Sequence, residues 1–185
     1  HRSGDLLRLC AAGLSALGVL LIVAGTALPR GLRLLSNYIP TIDNPFFRWG
    51  QLLFACGVMA SLGGLRWPIR SDDGEPRIRL PGAARIGLQA TAAALVLAAL
   101  TFGLTRLSEP ASLPAQVRHD FLVWGLGHVL QLVSCVALAT MWILLLEPVL
   151  GESPVSRPAA GALFLAFVVP WSLAPVFALQ GGDSL

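Results

Sequence analysis

Trp124, His128 and Gln131 recur at intervals of four and three residues inside an otherwise apolar run from Phe121 to Leu146. That spacing places all three side chains on one face of an α-helix. An imidazole at membrane depth has little water to satisfy its nitrogens. It needs a partner from another helix, a trapped water or a metal ion. The chemistry open to His128 is therefore hydrogen bonding between helices, proton relay, or ligation of a metal or haem iron. Gly125 and Gly127 flank it on the amino-terminal side. Glycine inside a helix costs about 1 kcal/mol relative to alanine, and is expected where something flat and bulky approaches the backbone closely.

The element that must position these residues is a membrane helix among others. Hydrophobic residues make up 55% of the 185-residue chain and charged residues only 12%, with a mean hydropathy of +0.72. Soluble domains carry about twice that charge fraction. Five apolar segments are delimited by charges and prolines: 9–28, 46–65, 86–105, 121–146 and 158–180. Each is near the length that crosses about 30 Å of hydrocarbon at 1.5 Å per residue. The expected fold is all-α: a polytopic transmembrane helix bundle forming a single transmembrane region over 1–185. The last span contains Pro170 and Pro175, which free backbone carbonyls and predict a bend. Gly57 with Ser61, and Ala90, Ala94 and Ala98, supply small-residue faces for close helix approach.

All thirteen basic residues are arginines, and the net charge is +3. They lie at helix ends, where orientation signals belong, so nucleic acid is not an expected partner. Arg2, Arg8, Arg66, Arg70, Arg77, Arg79, Arg85 and Arg157 fall on one side; Arg30, Arg33, Arg48, Arg106 and Arg118 fall on the other. The positive-inside rule then puts the amino terminus in the cytoplasm, and the expected location is a bacterial inner membrane. The loop from Arg66 to Arg85 reads as a solvated turn region. Tyr38, Phe46, Phe47 and Trp49 read as an aromatic belt at the opposite boundary. Cys10, Cys56 and Cys135 have no CxxC spacing and are expected to be buried, inert thiols. His119 lies at the end of the fourth span, where a solvated interfacial histidine is expected. The sequence opens on His1 and enters a helix almost at once, which is expected of a fragment or a processed product.

The run His119-Asp-Phe-Leu-Val-Trp-Gly-Leu-Gly-His-Val-Leu-Gln131 resembles the sixth helix of subunit I in the haem-copper oxidase superfamily. There an aromatic-Gly-His element delivers the first histidine ligand of the copper that faces the high-spin haem. The resemblance implies that His128 is a metal ligand and that Trp124, Gly125, Gly127 and Gln131 are cofactor-binding. It also implies that the five spans belong to a larger twelve-helix-type bundle, with haem and copper in the parent protein. A cytochrome c-type subunit would serve as electron donor. His128 lies eight residues beyond Asp120, about 12 Å along a helix, which suits the depth of the family's copper site. The best-known members continue after this histidine with Pro-Glu-Val-Tyr, whereas this chain has Val129, Leu130, Gln131 and Leu132. The missing carboxylate and tyrosine point to a divergent branch, nearer the cbb3-type oxidases or the nitric oxide reductases.

With three histidines in all, the chain cannot supply the family's full ligand set. The expected function is thus a fragment of a membrane oxidoreductase passing electrons to oxygen or nitric oxide. The alternative is a small helical membrane protein without redox cofactor, such as a transporter half or an accessory subunit. A transporter would more often show paired intramembrane charges, and none is visible.

Overall fold

In the computed structural model, residues 2–28, 31–36, 39–63, 81–109 and 112–180 are described. They fall in two compact units, His1–Asp72 and Asp73–Leu185. Among the described residues the architecture is all-α apart from one short two-stranded sheet.

The first unit is a pair of helices, α1 (Arg2–Ala27) and α2 (Pro45–Gly63), joined through a two-stranded antiparallel sheet of β1 (Leu32–Leu34) and β2 (Thr41–Asp43). Leu32 pairs with Asp43, and Leu34 with Thr41. The turn into α2 follows from its residues. Pro45 stands at the first helical position, where its missing N–H costs nothing. The Asn44 side chain accepts a hydrogen bond from the Phe46 N–H at 2.8 Å. Asp43 pairs with Arg48 at 2.6 Å. The two helices meet through residues seven apart: Ala11, Gly18 and Gly25 on α1, Gly50 and Gly57 on α2, all buried. A Cβ on Gly50 would lie 2.7 Å from both the Gly18 carbonyl oxygen and the Ile22 nitrogen. These glycines therefore set a backbone-to-backbone approach that no side chain permits.

The second unit contains α3 (Gly82–Ser108), α4 (Ala115–Leu150), α5 (Arg157–Trp171) and α6 (Ala174–Gln180). After Ala83, the buried residues of α3 run Ala84, Gly87, Thr91, Ala94, Ala98, Thr101 and Thr105. Alternating steps of three and four make a continuous seam of small residues. It packs on α4, where Leu132, Val136 and Ile143 are buried, and on Ala160 and Phe164 of α5. The threonines in this seam need no partner helix for their hydroxyls. Thr91, Thr101, Thr105 and Thr140 each donate to the carbonyl four residues back, at 2.7–2.9 Å. Ala94 and Ala98 belong to the seam as expected, while Ala90 is only partly buried at its edge.

Among the described residues, four stretches, Leu6–Ala27, Gly82–Ser108, Ala115–Leu150 and Arg157–Leu179, are long and apolar enough to cross a membrane. The second expected span, as α2, has 19 residues, about 28 Å at the α-helical rise, and is not one of these four. Most of each span's surface is left uncovered by the chain, with only 6 to 28% of the four windows buried. Leu and Val side chains on those faces suit a lipid bilayer. The fourth expected span is much longer than its apolar run. As α4 it takes in Ala115 to Leu150 and ends on Gly151, whose left-handed backbone lets its N–H reach the Glu147 carbonyl. The expected bend at Pro170 and Pro175 is a break: Ser172 and Leu173 form a turn between α5 and α6.

The cysteines depart from expectation. Cys10, Cys56 and Cys135 are exposed, not buried, because glycine, alanine and threonine occupy the helix seams and the thiols fall on the outer faces. The expected turn region from Arg66 to Arg85 lies outside the described residues up to residue 80, as does Tyr38. Phe47, expected in the aromatic belt, is buried between α1 and α2, whereas Phe46 and Trp49 are exposed.

Candidate functional site

The stripe expected on α4 is present as a spatial cluster, with one addition from α5. His128 lies one turn beyond Trp124, their ring centroids 4.5 Å apart and their planes inclined by 52°. Trp171, the last residue of α5, also approaches the imidazole, with a centroid separation of 6.2 Å and planes only 25° apart. The imidazole thus neighbours two indoles, both within the range where aromatic pairs attract. Its Nδ1 is 2.8 Å from the Trp124 carbonyl oxygen. A carbonyl only accepts, so Nδ1 carries the proton. In the neutral ring, Nε2 then holds the lone pair that could ligate a metal. A ring whose tautomer is fixed by a carbonyl at the other nitrogen is the usual arrangement of a ligating histidine.

The remaining expected site residues are placed less uniformly. Gln131 and Trp124 are on the exposed face of α4. Gly125 does not open toward that face: a Cβ there would lie 3.0 Å from the Thr101 methyl of α3. Gly127 is buried. Close helix packing therefore accounts for Gly125 without any flat group. Groups of three His, Cys, Asp or Glu side chains able to hold a metal are absent among the described residues. His128 can supply one ligand, and a complete metal centre would need others from elsewhere.

A second polar cluster lies at the turn between α3 and α4. The Glu109 side chain is only 3% exposed, and its Oε1 accepts from Arg106 Nη1 at 2.8 Å. Arg118 on α4 brings its Nε to 3.3 Å of the same oxygen. The carboxylate thus ties the end of one membrane helix to the start of the next. His119, expected to be solvated, is buried at 8% exposure, because α4 begins at Ala115 and carries this residue into helix packing. Arg106 and Arg118 are legible in the sequence only as orientation charges. Glu109, one turn after Arg106, is the missed signal. Replacing Glu109 with glutamine should lower stability by on the order of 1–2 kcal/mol, since both arginines keep access to solvent. Thermal unfolding in detergent checks this, and a Tm equal to wild type would mean that the cluster is a bystander.

No family model matches the chain, and no solved structure matches it. The chain is 29% identical over 131 residues to an uncharacterized protein of Aquifex aeolicus, covering 71% of this chain. It spans about a third of that relative's length, 33%.

Proposed function

We propose that this chain is part of a membrane oxidoreductase similar to subunit I of the haem-copper oxidases, with His128 a ligand of a redox metal. The observation that carries this reading is the fixing of the His128 ring. Its Nδ1 is engaged by the Trp124 carbonyl, and its ring neighbours the indoles of Trp124 and Trp171. An imidazole so restrained presents Nε2 in one orientation with little left to lose in entropy on ligation. The other ligands would come from further helices of a longer polypeptide, for which the length of the Aquifex relative leaves room.

In such a protein the haem and copper supply electron transfer to oxygen or nitric oxide. This chain's own part is to hold one nitrogen at membrane depth, exclude water with apolar helices, and keep the neighbouring indoles against the ring. Trp124 and Gln131, on the same open face of α4, are the residues that would border the cofactor. Gly125 and Gly127 would act only indirectly, by letting α4 pack closely. The arginine distribution supports an amino terminus in the cytoplasm of a bacterial inner membrane, and a cytochrome c-type subunit is the proposed electron donor.

A second reading has its own observation. The Nδ1 bond is made within one helix, so His128 could be a self-satisfied packing residue in a membrane protein without redox cofactor, a transporter half or an accessory subunit. The reduced-minus-oxidised visible spectrum of the purified full-length protein separates the two. Sharp haem bands are expected, and a featureless difference spectrum would favour the second reading.

A further inference from the structure

We propose that Trp171 is the positioning residue of His128, so that the break between α5 and α6 sets the orientation of an imidazole on α4. Three observations converge on it. Trp171 is the nearly parallel partner of the imidazole, at 25° against the 52° of Trp124. Trp171 also packs against the cluster that contains Leu132, Val136 and Phe164, so its own rotamer is fixed. Trp124, by contrast, is 65% exposed and lacks the packing needed to restrain a neighbour. Finally, the chain ends α5 at this very residue. Pro175 cannot donate to the Trp171 carbonyl, as a continuing helix would require. Instead, the Ser172 N–H and hydroxyl both turn back to the Val169 carbonyl, at 3.1 and 2.7 Å. A helix running straight through would have no reason to hold its indole at that level by a terminal turn.

The consequence is a restrained ring. Trp171 holds the imidazole in the rotamer where Nδ1 meets the Trp124 carbonyl, and thereby favours the tautomer with its lone pair on Nε2. Its value for ligation rests on the metal-ligand reading of His128, but the positioning itself can be measured without metal.

The test is nitrogen NMR of the metal-depleted, histidine-labelled full-length protein in lipid nanodiscs, with a His128→Gln variant assigning the ring signals. Wild type should show His128 in the Nδ1–H form. Trp171→Leu keeps apolar bulk but removes the aromatic face, and should raise the competing tautomer several-fold, up to about tenfold. Trp171→Phe should restore the wild-type spectrum. Unchanged His128 signals in the leucine variant would overturn the proposal. Equal disturbance by leucine and phenylalanine would also overturn it, because bulk rather than the stack would then matter. The two readings can fail separately. If His128→Ala keeps its copper while Trp171→Leu shifts the tautomer, the positioning stands and the metal ligand falls. The reverse pair of results leaves the ligand and removes Trp171.

Discussion

Full-length protein carrying His128→Ala should be purified without copper and with its helix bundle intact. The expected separation of the two effects comes from where α4 makes its contacts. Its buried residues are His119, Val123, Gly127, Val129, Leu132, Val136, Thr140 and Ile143, and His128 is not one of them. Truncation forfeits the aromatic contacts with Trp124 and Trp171, on the order of 1 kcal/mol for each pair. A cost of that size does not unfold a bundle held by the α3–α4 seam. Metal affinity responds far more strongly. Loss of a group that merely orients a ligand lowers affinity about 10–100-fold, and loss of the ligand itself should exceed that. Elemental analysis beside circular dichroism reads both quantities. Wild-type copper in a folded His128→Ala protein would remove His128 from the metal site.

Gly50→Leu is the second large effect, and it falls on the first unit. The new Cβ would be 2.7 Å from the Gly18 carbonyl oxygen and the Ile22 nitrogen, and 2.8 Å from Ile22 Cγ1. Two of those three atoms are backbone, so no rotamer change relieves the overlap and α1 must move away from α2. Overpacking typically costs about 1–3 kcal/mol, occasionally more, and backbone on the opposing side places this case at the top of that range. Gly13→Leu is the matched control. A Cβ at Gly13 meets nothing within 4 Å, and leucine is the better helix former, so that substitution should leave stability unchanged or raise it by up to about 1 kcal/mol. Detergent-unfolding midpoints compare the pair. Equal midpoints would mean that the glycine seam does not hold α1 against α2.

How much of this was legible in the sequence depended on which physical signal each feature leaves. Helix positions were readable because apolar length and bounding charges are direct consequences of bilayer thickness. The ends were not, since α4 runs on through His119 and Asp120 on one side and Glu147 on the other, and charge marks where lipid ends rather than where a helix does. The α5–α6 break was foreshadowed by Pro170 and Pro175. The small hairpin at Leu32–Leu34 and Thr41–Asp43 was missed, three residues per strand being too few to show an alternating pattern.

At the site, the Trp124–His128 pair followed from helical spacing alone. Trp171 did not, because no local pattern links two residues that meet only through tertiary packing. Gly125 was read as an approach for a flat group, yet it faces Thr101; a glycine reports that space is needed without saying what fills it. The cysteines show the same limit. Apolar surroundings in the sequence predict burial in a soluble protein, but in a membrane helix they describe the lipid-facing side equally well.

The most direct measurement of the central claim is X-ray absorption at the copper edge of the full-length wild-type protein. Bound copper with the multiple-scattering pattern of imidazole nitrogen ligands is the expected result. Protein without copper, or copper held without imidazole, would be the contrary result and leave His128 as a packing histidine beside Trp124 and Trp171.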